Sequence, residues 1–275
     1  MVSLKTCVRR GVLATLCLGG FGWSASAETT IRVGGTGAPL AALAELGARF
    51  AEDHPDVTVT VLPSLGSGGG IRAVRDRVID VAVSSRPVRD DEGAGSTLIV
   101  QPFARTAVTV LTSLPGGASV TTDGLAGLIA DPHATWPDGT PVHVILRPET
   151  ETDIHEIADD RPVIGQALAT ARARPEVPVA ATDQENMDLA ADLPGALTVG
   201  TLLQMRAEGW PLYPVTIDGQ AASGPAVADG TYPVTKDFAL VVRTDASETA
   251  LAFIGFLRGE QAAAYIRSLD AIPLR

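Results

Sequence analysis

A short strand, a glycine-bearing turn and an amphipathic helix follow one another twice near the start of this chain, and that order commits it to an α/β fold. Thr30 to Gly34 reads as a strand and Gly35-Thr36-Gly37 as a turn, with Pro39 as the first helical residue and Leu40, Leu43, Leu46 and Phe50 on one helix face. In the second unit Val57, Val59 and Val61 alternate with threonines, Gly66-Ser67-Gly68-Gly69-Gly70 forms the turn, and Ile71, Val74 and Val78 follow at helical spacing. Asp80 to Ser84 is expected to be a third, buried strand.

A β-branched run from Thr106 to Leu111 leads through Thr112 and Ser113 into a loop around Pro115, Gly116 and Gly117, after which a second set of βα units begins. There, Val142 to Leu146, Ala196 to Val199 and Leu212 to Ile217 read as strands, and Asp153 to Thr170 as a helix interrupted at Pro162. Asp218 to Pro233, rich in Gly, Ala and Ser, reads as a return connection to a strand at Phe238 to Val242. Helices at Ser247 to Leu257 and Glu260 to Leu269 follow. The expected organisation is two domains, residues 28–113 with 228–275 and residues 114–227, joined by two connections that act as a hinge.

The first 27 residues carry the three parts of a secretory signal: basic Lys5, Arg9 and Arg10, an apolar run from Val12 to Trp23, and Ala25-Ser26-Ala27 as a small-residue cleavage site. Cleavage predicts a chain that starts at Glu28, is periplasmic or secreted, and is soluble and monomeric. Both cysteines, Cys7 and Cys17, fall inside the signal, so the mature product is expected to hold no thiol, no disulfide and no cysteine-bound metal. A lipid on Cys17 is disfavoured because Leu16 precedes it. Losing the signal leaves 18 basic against 32 acidic side chains, a net charge of −14. With 4% aromatic residues and only two lysines, Lys5 and Lys236, the chain lacks the stacking platform and the lysine-rich groove that nucleic-acid binding uses. A small anion at a local positive site remains compatible with that surface.

The glycine turns at Gly35 to Ala38 and Gly66 to Gly70 each open a helix, and Thr150-Glu151-Thr152 lies between a strand and a helix. Free N–H groups at helix starts bind anions, glycine lets the backbone come close, Ser67, Thr150 and Thr152 can donate hydroxyl protons, and Arg147 offers a planar fork. A Ser- or Thr-capped glycine turn also starts many helices that bind nothing. Neither turn is a nucleotide loop, because Gly66 to Ile71 lacks the Gly-Lys-Ser/Thr ending and no acidic residue at dinucleotide spacing follows Gly35 to Ala38.

Taken together, Val33-Gly-Gly-Thr-Gly-Ala38, Phe50 to Pro55, Gly66-Ser-Gly-Gly-Gly-Ile71 and Ile79-Asp-Val-Ala-Val-Ser-Ser-Arg86 resemble the N-terminal half of the periplasmic phosphate-binding proteins of ABC importers. Arg147 to Thr152 and Tyr232 to Arg243 add weaker support. The resemblance implies a two-domain α/β fold of the type 2 periplasmic-binding-protein kind, with a tetrahedral oxyanion, phosphate first, held in the cleft and delivered to a membrane permease. It implies amides from Thr36, Gly37 and Ala38, hydroxyl and amide contacts from Ser67 and Gly68, further contacts from Ser85 and Arg86, charge from Arg147, and hydroxyls from Thr150 and Thr152. No catalytic residue, metal or cofactor is implied. Two departures stand out: Ser85 occupies the place of the family's carboxylate, and Glu151 the place of a glycine. Without a carboxylate to accept the proton of phosphate, rejection of sulfate is expected to be less sharp. Glu151 restores that acceptor if it turns inward, whereas a pose outward at the helix start serves the helix dipole.

Other readings stay open at this stage. Glu149, Glu151, Asp153, Glu156, Asp159 and Asp160, with His143 and His155 nearby, are candidate metal ligands, although Asp153 and Glu156 also fit a capping box. His54 and His133 sit in expected surface loops. A serine hydrolase is the enzymatic alternative, yet Leu65 stands where a nucleophile elbow needs glycine. A binding protein that reports to a membrane sensor, rather than an importer, is a third.

Overall fold

The computed structural model describes residues 29–275; the segment expected to be an export signal, both cysteines and Glu28 lie outside the described residues. Thr29–Gly35 (β1), Leu40–Asp53 (α1), Val57–Val61 (β2), Gly66–Arg75 (α2) and Val81–Ser84 (β3) form the first βα units. A 3-10 turn at Asp90–Glu92 precedes β4, which runs 15 residues from Leu98 to Thr112. Ser119–Val120 (β5), Thr122–Ala130 (α3), His143–Val144 (β6), Thr152–Asp160 (α4), Pro162–Arg172 (α5) and Asp183–Asp192 (α6) come next. Ala196–Thr201 (β7), Leu202–Glu208 (α7), Tyr213–Pro214 (β8), Thr216–Ile217 (β9) and Gly224–Ala228 (α8) lead to Thr235–Arg243 (β10). Glu248–Leu257 (α9), Glu260–Ser268 (α10) and Ala271–Pro273 (β11) follow.

One mixed sheet runs in the order β2-β1-β3-β10-β4-β7-β6, with β11 and β8 also paired to β4. Strands β2, β1 and β3 are parallel, while β10 is antiparallel to both β3 and β4. In β3, Val81 and Val83 enter one core with Leu43, Phe50 and Phe253, whereas Ala82 enters another with Ile71 and Val74. Period-2 alternation thus lays α1 and α9 on one face of the sheet and α2 on the other. A third core gathers Leu111, Trp136, Leu146, Ile164, Met187 and Leu197. Each such fully buried aliphatic or aromatic side chain is worth about 1.5–3 kcal/mol over exposure.

The two lobes share β4. Its residues through Ala107 pair with β10, and those from Val108 pair with β7. The change of partner therefore falls between Ala107 and Val108, and β4 itself ends at Thr112, just ahead of the loop at Pro115 to Gly117. The returning chain meets it at the same level, where Val108 N–H donates to the Val234 carbonyl at 2.9 Å and the buried Tyr232 hydroxyl donates to the Val108 carbonyl at 3.0 Å. Further ties exist: Leu203 of α7 is buried in the core of the first lobe, with its N–H bonded to Thr106 Oγ1 at 3.0 Å.

Several local expectations need correcting. The glycine run Gly66 to Gly70 is itself the first half of α2 and not a turn, and Val78, beyond the helix, is 56% exposed. Glycine is a poor helix former, but Gly70 packs against β1, where a Cβ would come within 2.7 Å of Gly35 Cα. Close packing overrides propensity here. Asp153 does not cap α4: the N-cap is Glu151, which makes no side-chain cap bond, and Asp153 is turned instead toward Lys236.

Candidate functional site

Between the lobes lies a cavity of about 400 Å³. From the first lobe, Thr36, Ser67, Gly68, Ser85 and Arg86 line it; from the second, Arg147, Thr150 and Thr152 do. Of the ten residues singled out in the sequence, eight therefore converge on one space. Gly37 and Ala38 do not line it. The reason is steric, because α6 has come down onto their turn: a Cβ on Gly37 would stand 2.4 Å from Asp183 Oδ2, and Gln184 Nε2 donates to the Gly37 carbonyl at 3.1 Å. Without a Cβ, Gly37 lets the start of α6 pack closely on this turn.

The contact of Gly70 with β1 seats the first turn of α2 at the cavity. First-turn N–H groups have no partner within a helix, and Ser67 and Gly68 occupy that turn. Ser67 Oγ accepts from the Ser85 N–H at 3.0 Å and shares a proton with Ser85 Oγ at 3.1 Å, so the two hydroxyls act as one unit. The start of α4 supplies the matching turn from the other lobe, through Thr150, Glu151 and Thr152.

Two arginines set the charge. Arg147, only 2% exposed, donates from Nη1 to the Ala180 carbonyl at 2.8 Å and from Nη2 to Asp183 Oδ1 at 2.9 Å, and its Nη2 stands 3.5 Å from Glu151 Oε2. Arg86 forms a two-pronged bond with Glu92, Nη1 to Oε2 at 2.8 Å and Nη2 to Oε1 at 2.7 Å. Bonding to Arg86 holds the Glu92 carboxyl down at about 2, and the same pairing raises Arg86. Each cation thus carries a carboxylate of its own. What remains for a ligand is a set of directed N–H and O–H donors rather than a surplus of positive charge.

The sequence left the pose of Glu151 open and offered no other carboxylate for this cavity. The structure puts two there: Glu151 points inward, and Asp183 lines the wall with Ala181 and Thr182. Asp183, which the sequence reading missed, had a signal of its own. Thr182 Oγ1 accepts from the Glu185 N–H at 3.1 Å, a threonine N-cap bond, and Glu185 Oε2 accepts from the Ala181 N–H at 2.7 Å, one residue ahead of the cap. That motif places Asp183 in the first turn of α6.

Beside the polar cavity runs a groove of about 440 Å³ lined by Leu40, Ala41, Ala44, Val61, Leu62 and Pro63, with Ser64 and Thr182 belonging to both spaces. The acids read as candidate metal ligands do not assemble: among the described residues no group of three His, Cys, Asp or Glu side chains is placed to hold an ion. No described helix is long and apolar enough to cross a membrane.

Solved structures share this architecture. One, described as a phosphate ABC transporter substrate-binding protein with bound phosphate from Clostridium perfringens, matches with a TM-score of 0.71 at 16% identity, over 90% of this chain and 100% of its own. An ABC-type phosphate transport receptor from Vibrio cholerae matches with a TM-score of 0.58 at 18% identity, over 89% and 99%. PEB3 bound to L-phospholactate matches with a TM-score of 0.55 at 14% identity, over 88% and 99%. At these identities the likeness establishes a fold of the type 2 periplasmic-binding-protein kind. No curated protein matches the chain in sequence. A family model does, the PBP superfamily domain, over residues 23–260. With that match spanning most of its length, and with its mixed sheet and interlobe cleft, the chain belongs to the PBP superfamily.

Proposed function

We propose that this chain is an extracytoplasmic solute-binding protein for a small tetrahedral oxyanion, phosphate first, which it delivers to an ABC importer. One observation carries the reading: a buried arginine, seven hydroxyl side chains and the starts of three helices, drawn from both lobes, line a single cavity. Donors of this kind are fixed before the ligand arrives, so binding costs little reorganisation. Glu151 and Asp183 add what phosphate needs beyond donors, since a carboxylate can accept the proton phosphate still carries and repels a fully ionised sulfate. Binding rather than catalysis is supported by Ser67, whose hydroxyl is bonded to Ser85 and, among the described residues, to no general base.

Calorimetry of the purified protein, unfolded and refolded to strip retained ligand, tests this directly. Saturable binding of phosphate with sulfate at least 100-fold weaker, about 2.7 kcal/mol, supports the reading. Equal affinity for the two removes the role given to the carboxylates.

A second reading has its own observation. A tetrahedral oxyanion needs about the room of two or three waters, ~30 Å³ each. The polar cavity is far larger and adjoins an apolar groove through Ser64 and Thr182. An oxyanion carrying a short carbon substituent fits both spaces, and a series of alkyl phosphates in the same calorimeter separates it from bare phosphate.

A further inference from the structure

The geometry points to Lys236 as a positioning residue for the cleft, acting through Asp153 to hold the Thr150–Thr152 segment in place. The inference deepens the anion-site reading and rests on it for its affinity measurement alone.

Lys236 stands at the start of β10, opposite Thr106 of β4, where the chain passes between the lobes. Its ammonium contacts Asp153 Oδ1, and the two side chains are 3% and 4% exposed. Asp153 is the second residue of α4, directly after three residues that line the cavity. Helix α4 has no side-chain cap of its own, so this ion pair joins the 3.5 Å contact of Glu151 with Arg147 in fastening its start. The ammonium also feels the charges of Glu151 and Arg147, both at the cavity. One turn further along α4, the Glu156 carboxyl is partly buried near Asp237, its Oε2 without a hydrogen-bond partner among the described residues.

A buried ion pair is an expensive way to join a helix to a strand. Desolvating two charges cancels most of their attraction, and two well-packed apolar side chains would hold the same elements together as well or better. What the pair supplies that an apolar contact cannot is direction: a carboxylate and an ammonium fix the rotation of α4 about its axis, and with it the aim of Thr150, Glu151 and Thr152. Misplacing cavity donors by about 1 Å is enough to cost tenfold or more in function.

The experiment compares Lys236→Met/Asp153→Leu with wild type. The double replacement removes both charges together, so no buried charge is stranded and the melting temperature should stay near wild type. Amide exchange at Thr152, Asp153 or its replacement, and Ile154 in the ligand-free protein should be about tenfold faster, and phosphate affinity about tenfold lower. Lys236→Arg, which keeps the pair, should restore both. Wild-type exchange in the double variant overturns the proposal, whatever the ligand. If wild type itself fails to bind phosphate, the anion-site reading falls while the exchange measurement still decides the role of the pair. Asp153→Asn gives the same exchange readout should the double variant not fold.

Discussion

Arg147 donates from Nη2 to Asp183 Oδ1 at 2.9 Å, so the buried cation of the cleft meets a ligand with its charge already shared. The arginine comes from the segment after β6 and the aspartate from the first turn of α6, both in the second lobe. Such a pair presents donors and an acceptor side by side. An anion that still carries a proton can use both, and one that has none meets repulsion from the carboxylate.

Asp183→Asn should therefore weaken discrimination more than binding. The amide keeps the shape and removes the charge, so sulfate should gain about tenfold, ~1.4 kcal/mol, relative to phosphate. Competition calorimetry with the two anions measures the ratio. An unchanged ratio assigns the acceptor role to Glu151 alone.

Gly37→Ala should act on closure. The new methyl would lie 2.4 Å from Asp183 Oδ2 and 2.9 Å from Asp183 Cβ, so α6 must retreat from the turn. Overpacking of this kind typically costs 1–3 kcal/mol, and here the cost falls on the closed arrangement. Phosphate affinity should drop about tenfold, with a small change in melting temperature. Small-angle scattering of the ligand-bound variant should give a larger radius than bound wild type.

Two carboxylates should leave opposite marks on the pH dependence of stability. Glu92 is held at about 2 by its bond to Arg86, below its unfolded value; its contribution is present above about pH 4.5 and disappears as pH falls toward 2. Glu156 is pushed up to about 7 by burial and by Asp237; the folded state keeps its proton, and stability is lost as pH rises from about 4.5 through 7. Accordingly Glu92→Gln should lower the melting temperature at pH 7 and lose that effect only as pH falls toward 2. Glu156→Gln should raise it at pH 8, a gain of ~1 kcal/mol in unfolding free energy after allowance for solvent screening, and do nothing at pH 4. Thermal melts across this range check both signs.

Much of this fold is legible in the chain itself. Leu40, Leu43, Leu46 and Phe50 fall on the buried face of α1, Val57 to Val61 form β2, and Pro162 separates α4 from α5 as its missing N–H requires. The eight cavity residues are legible in part from glycine and hydroxyl residues at helix starts, a pattern many helices share without a ligand, and for Ser85 and Arg86 only through the resemblance. What the sequence conceals depends on residues far apart along the chain. Gly66 to Gly70 looks like a turn until Gly35 is beside it. Asp183 lies 36 residues from Arg147. Asp153 reads as a cap because its partner Lys236 belongs to a strand that arrives late in the chain. The shared strand β4 hides its crossing because nothing in its β-branched sequence marks where one neighbour replaces another.

The most direct test of the account is phosphate titration into wild type and Arg147→Ala by calorimetry, with sulfate as competitor. Removing a buried charged donor should cost about 2–5 kcal/mol, at least 30-fold in affinity, because Asp183 and Glu151 then face the anion without their cation. Wild type should bind phosphate, and the variant should bind it weakly or not at all. Wild-type affinity in Arg147→Ala would contradict the account, since the ligand would then lie outside the cavity that Arg147 lines.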